Sequence, residues 1–90
     1  MEKLNNSKEG IRVANGEKIE RILKSNVPFG AKLLAVDIAF MDSCYTFSND
    51  EIAERTGAGR SSVARWLNDL KDAGLIASTI YKGKRTLIFN

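Results

Sequence analysis

Histidine is absent from this 90-residue sequence, and cysteine and proline occur once each. Without histidine, the commonest general base and the commonest zinc ligand are both gone, and one cysteine cannot stand in for them. No nucleophile–base pair, metal set or phosphate loop can be assembled from what remains. No enzyme, cofactor or metal site is therefore expected. Cys44 has no partner for an intrachain disulfide, which fits a reducing, cytoplasmic setting. Among apolar neighbours it reads as a small core residue. The longest apolar stretch, around residues 33–41, is broken by Asp37 and is far too short to span a membrane. The N-terminus lacks the apolar segment of a signal peptide, and no repeat, linker or low-complexity segment is visible.

The residues that are present make an ordinary globular balance, 43% hydrophobic and 28% charged, which favours one small folded domain over a disordered chain. The formal charge of +3 is unevenly spread. Residues 1–54 hold seven Lys/Arg against nine Asp/Glu, whereas residues 55–90 hold seven against two. That asymmetry points to a polyanion-facing surface in the second half, with solubilising charge as the plainer alternative.

Along the chain, the polar residues 1–10 read as a flexible arm ahead of a single domain over 11–90, and 11–15 as a short extended stretch. "GEKIERILKSN" (16–26) places Ile19, Ile22 and Leu23 on one helical face. Residues 28–42 form a second helix with two apolar stripes, one of Ala31, Leu34, Ala35, Ile38 and Met41, the other of Leu33, Val36 and Phe40. Such a helix needs cover on two sides; the 16–26 helix is one candidate and a partner subunit the other. "CYTF" (44–47) is a short β-like stretch. "SNDE" (48–51) carries the capping-box spacing, starting a helix that ends near Thr56, with Gly57 suited to the left-handed residue beyond it. After "AGR", a helix over 60–73 buries Val63, Trp66, Leu67 and Leu70, and "AGLI" (73–76) stops it. Two strand-like runs around Lys82-Gly83-Lys84-Arg85 then make a basic-tipped hairpin.

Two helices joined by a tight glycine-containing turn, followed by a basic hairpin, is the layout of a winged helix-turn-helix: mainly α, three to four helices, a two-stranded C-terminal wing and a short extra strand near 44–47. In the 60–73 helix, Ser61, Ala64, Arg65 and Asn68 point away from Val63, Leu67 and Leu70, with Arg60 flanking at the open end. Cations at a helix N-terminus oppose the helix dipole, and a phosphate bound there would satisfy both. Arginine fits guanine's acceptor pair, asparagine fits adenine's donor–acceptor pair, and alanine admits close approach to a thymine methyl group. The hydroxyls of Ser61 and Ser62 and the first-turn amides suit phosphate oxygens. The plain alternative is a solvated surface helix. Trp66, at core spacing, reads as packing. Lys82, Lys84 and Arg85 suit phosphate or minor-groove contact, or else protection of a sheet edge; Arg55 and Lys71 complete the basic excess.

"NDEIAERTGAGRSSVARWLNDLKDAGLI" resembles the winged helix-turn-helix of bacterial plasmid and phage replication initiators and of many repressors. Upstream, "GIRVANGEKIERILKSNVPFGAKLLAVDIAF" is similar to the start of phage O-type replication proteins, in which an R-[IV]-x-N segment leads into a small helix. The two stretches cover about residues 10–76. The resemblance implies that Arg60, Ser61, Ser62, Ala64 and Arg65 begin the recognition helix, although Gly59 stands where the family usually has a capping serine. It also implies a helicase-recruiting segment beyond this region, which is not among these 90 residues. The expectation is thus a sequence-specific double-stranded DNA-binding protein of a phage, plasmid or other mobile element. It would act at an origin, centromere or operator, as a homodimer or an array on repeated sites, with a protein partner from replication or partition machinery. A small repressor, a plasmid partition adaptor and a winged-helix protein-interaction module are the alternatives.

Overall fold

The computed structural model describes residues 16–41 and 45–90. The flexible arm over 1–10, the extended stretch 11–15 and Cys44 lie outside the described residues. Helix α1 (16–24) is followed by α2 (Phe29–Met41), α3 (Asn49–Thr56) and α4 (Arg60–Asp72), then strands β1 (Ile76–Tyr81) and β2 (Lys84–Phe89). The strands pair antiparallel, from Ile76 opposite Phe89 to Tyr81 opposite Lys84. This is the mainly helical winged helix-turn-helix that the element order predicts.

Local chemistry accounts for most boundaries. α1 closes where Ser25 bonds back to the Ile22 carbonyl through both its amide (3.2 Å) and its hydroxyl (2.5 Å). Proline has no amide to lose at a helix start, and the Pro28 carbonyl accepts from the Lys32 amide at 2.9 Å to open α2. Ser48 and Glu51 form a full capping box: the serine oxygen accepts from the Glu51 amide (3.2 Å) and the carboxylate from the Ser48 amide (2.9 Å). The Ser48 amide bond to the carboxylate, and after it the nearby Ser48 hydroxyl, hold the Glu51 carboxyl below its ordinary range. Gly57, at φ +74°, then frees the chain for the turn into α4. α4 ends in a Schellman arrangement, with the Gly74 amide on the Lys71 carbonyl and the Leu75 amide on the Leu70 carbonyl, both at 3.0 Å, and Gly74 left-handed.

The core is built from Ile22 of α1, Ala31, Leu34, Ala35 and Ile38 of α2, Ile52 of α3, and Val63, Leu67 and Leu70 of α4, closed by Leu75, Ile76, Leu87 and Phe89. α2 approaches α4 closely at Gly30, where an added Cβ would overlap the indole carbons Cζ2 and Cε2 of Trp66. Trp66 is thus a packing residue. The chain end is tied down as well. The Asn90 amide donates to the Leu75 carbonyl (2.8 Å), and Arg21 donates to the Asn90 carbonyl and lies over the Phe89 ring.

Two expectations need correcting. Of the expected 44–47 strand, the described residues 45–47 make a single bridge: the Leu87 amide donates to the Tyr45 carbonyl at 2.9 Å, and residues 46–48 leave the sheet for the α3 cap. Of the three apolar residues on α1, Ile22 is buried and Ile19 half-buried, while Leu23 is 60% exposed, because the short helix meets α2 over one edge only. Within this chain the second stripe of α2 stays open, which leaves the expected partner subunit untested. Val36 packs at the core margin, but Phe29, Leu33 and Phe40 are 84%, 72% and 83% exposed.

Candidate nucleic-acid interface

α4 begins without a side-chain cap. Gly59 is extended at the N-cap position, and the first intrahelical bond runs from the Val63 amide to the Gly59 carbonyl at 3.1 Å. The amides of residues 60–62 therefore have no intrahelical acceptor, as at any helix start. Beyond them, Ser61, Ala64, Arg65 and Asn68 are exposed along one face and Ser62 is half-buried, while Val63, Leu67 and Leu70 are buried on the other. Arg60 is exposed at the open end, its Nε 3.3 Å from an Asp50 oxygen in the first turn of α3. Both partners are largely solvated, so that pair contributes little to stability and opens readily.

The wing turns on two residues, Lys82 at φ +52° and Gly83 at φ +77°. Positive φ at both central positions is the two-residue hairpin turn whose twist matches the strands. Lysine is an unusual occupant of the first position, where the left-handed backbone costs a non-glycine residue roughly 1–2 kcal/mol. It places an ammonium at the extreme tip, over the Tyr81 ring at 5.4 Å. Lys84 is exposed directly after the turn.

Two arginines expected in the basic surface bond to groups of the fold itself, Arg85 half-buried and Arg55 still exposed. Arg85 donates to the Asn49 side-chain oxygen and to the Phe47 carbonyl, both at 2.7 Å, and its Nε is buried without a partner. Its guanidinium thus fastens the wing to the start of α3, away from the tip. Arg55 makes a two-point contact with Asp37, at 2.6 and 2.9 Å, and lies over the Phe47 ring. The Tyr45 hydroxyl donates to the same carboxylate at 2.8 Å. The Arg55 bonds hold the Asp37 carboxyl below its ordinary range against the opposing effect of burial, and the Tyr45 bond helps. Burial, followed by the neighbouring carboxylate, pushes the Tyr45 hydroxyl well up. This cluster locks α2, the bridge residue and α3 together. The structure therefore brings Arg60, Ser61, Ser62, Ala64, Arg65 and Asn68 onto α4 and Lys82 and Lys84 onto the wing, and places Arg55 and Arg85 in the scaffold beneath.

Sequence reasoning did not single out Asp50 as the partner of Arg60, nor Ile80 as a large exposed side chain beside the wing tip. The Asp50 contact is tertiary and leaves no spacing signal. Strand alternation would set Ile80 on the face of the buried Ile76, yet β1 buries only Ile76, so the exposure of Ile80 left no signal in the sequence.

Two helices across a three-residue turn with a wing behind them define a winged helix-turn-helix unit. Residues 40–76, which span the end of α2 through the start of β1, match the family model of a helix-turn-helix domain. The match supports a helix-turn-helix DNA-binding family and, with it, DNA as a partner. No curated protein matches the chain. Among the described residues, no helix is long and apolar enough to cross a membrane, and no group of three His, Cys, Asp or Glu side chains is placed to hold a metal ion.

Proposed function

We propose that this protein binds double-stranded DNA sequence-specifically, with α4 in the major groove and the Lys82–Lys84 wing tip on the backbone or in the minor groove. The observation that carries the reading is the outward face of α4. It offers Ser61, Ala64, Arg65 and Asn68 to solvent, behind first-turn amides that no side chain caps. Arg65 and Asn68 have the donor geometry for base edges, and Ala64 is small enough to let them approach. Arg60 exchanges its solvated pairing with Asp50 for a phosphate, and Ser61, Ser62 and the wing lysines supply further backbone contacts. Arg55 and Arg85 hold the reading head in place.

A small reading head makes few contacts, so a homodimer or an array on repeated sites supplies the affinity. The biological role that best suits such a unit is action at an origin, centromere or operator of a phage, plasmid or other mobile element, without catalysis. The test is fluorescence anisotropy on duplexes taken from around the protein's own gene, beside a shuffled duplex, across a salt series. One fragment bound tightly, with an affinity that survives salt better than the control, supports specific recognition. Weak binding to every duplex, vanishing together as salt rises, contradicts it.

A further inference from the structure

We propose that the outward stripe of α2 is a dimer seam, closed by the same stripe of a second copy running antiparallel to it. Phe29, Leu33, Val36 and Phe40 follow each other at spacings of four, three and four, the alternation of a two-helix seam. They lie on the side of α2 opposite Ala31, Leu34, Ala35 and Ile38, which are buried in the core. Phe29, Leu33 and Phe40 are largely open to solvent, and Val36 forms a shallow crevice with Ile19, Ala39 and Phe40.

Two features select a second copy as the occupant. The first is the order of the side chains, aromatic, aliphatic, aliphatic, aromatic, which reads nearly the same in both directions. A two-fold antiparallel pairing sets Phe29 of each copy against Phe40 of the other, and Leu33 against Val36, so that large residues close both ends and aliphatic ones meet at the axis. The second is area. With Leu23 beside Lys32 at the N-terminal end, the stripe exposes roughly 500–600 Å² of apolar surface, at the top of the range for a monomer's largest patch. A standard interface takes about 800 Å² per partner, most apolar at its centre. The stripe supplies that centre, and the polar face of α1 supplies a rim.

The core separates this stripe from the outward face of α4, so both surfaces can be used at once. On the DNA-binding reading, which this consequence rests on, a two-fold dimer presents its two α4 helices to an inverted repeat. A head-to-tail array would instead use direct repeats.

The test is sedimentation of the full chain without DNA, from low to high micromolar concentration, so a failure here leaves the DNA-binding reading untouched. The wild-type chain is expected to reach twice its monomer mass. Phe40→Glu and Phe29→Lys each act twice across a two-fold seam and are expected to raise the dimer dissociation constant roughly a hundredfold or more. Both positions are solvent-facing, and unchanged circular dichroism in dilute solution confirms the fold of each variant. The double variant Phe29→Lys/Phe40→Glu restores the dimer, because each lysine then meets a glutamate of the other copy. A wild-type chain that stays monomeric overturns the proposal, including the case in which Phe40→Glu lowers its melting temperature because the chain's own residues 1–15 cover the stripe. So does a dimer indifferent to Phe40→Glu, and so does a double variant that stays monomeric, which removes the antiparallel register.

Discussion

α2 and α4 are both thirteen residues long, and both turn a set of small and branched apolar side chains toward the same core. They differ on the side facing away from it. α4 shows solvent two arginines, a serine, an alanine, an asparagine and, in its last turn, Lys71 and Asp72, whereas α2 shows it two phenylalanines and a leucine. An inner face reports only how the domain holds together. On the two readings proposed above, the outer faces differ because they meet different partners: a hydrated polyanion accommodates guanidinium, amide and hydroxyl groups, while exposed aromatic rings lower their free energy by meeting another apolar surface. One 90-residue chain thus carries a polar outer face and an apolar outer face on two helices that share a core.

Substitutions can break or sharpen that contrast. The largest effect is expected where the two helices are alike: Leu34→Ala in α2 and Leu70→Ala in α4 each remove a fully buried side chain and should cost about 2–5 kcal/mol in denaturant unfolding. Similar losses confirm that the inner faces are equivalent. Arg65→Ala separates the two roles within α4. Its unfolding free energy should stay within about 0.5 kcal/mol of wild type, while binding to a cognate duplex weakens by about 1–3 kcal/mol and binding to random DNA changes little. Loss of stability with unchanged binding would assign Arg65 to the scaffold.

Asp37→Ala probes the clamp that sets α3, and through it α4, against α2. The Asp37 and Arg55 side chains are 23% and 41% exposed, so solvent screening keeps the stabilisation from their pairing modest near neutral pH. Because the folded pKa of Asp37 lies below the ordinary 3.8, this stability is present above that value and is lost as pH falls through the lowered pKa. Thermal melts of wild type and variant should therefore differ near neutrality and converge in strong acid. A gap that persists in acid would mean that the carboxylate charge contributes nothing. The smallest effect is expected at the wing, where Lys84→Ala weakens cognate and random duplexes alike and lowers the slope of log affinity against log salt by roughly one. A loss confined to the cognate duplex would give the wing a part in base reading.

Features governed by neighbours in sequence were legible before the structure. The Ser48–Glu51 box, left-handed Gly57, the stop at Gly74 and the outward spacing of Ser61, Ala64, Arg65 and Asn68 all depend on residues a turn or less apart. What was missed depends on distant partners. Arg85 and Arg55 look like surface cations in a basic half, and only the fold brings Asn49 and Phe47 to one and Asp37 to the other. The 44–47 run has strand composition, yet Tyr45 meets Leu87 for one residue before the chain turns into the Ser48 cap. Trp66 was readable as packing, but the glycine that admits it, Gly30, is specified from another helix.

The contrast between the outer faces of α4 and α2 is tested most directly by backbone amide NMR shifts during titration with a bound duplex. The account predicts perturbations concentrated at residues 60–68 and 82–84, with Leu33, Val36 and Phe40 little changed. Perturbations centred on α2, with the start of α4 and the wing tip silent, would contradict it.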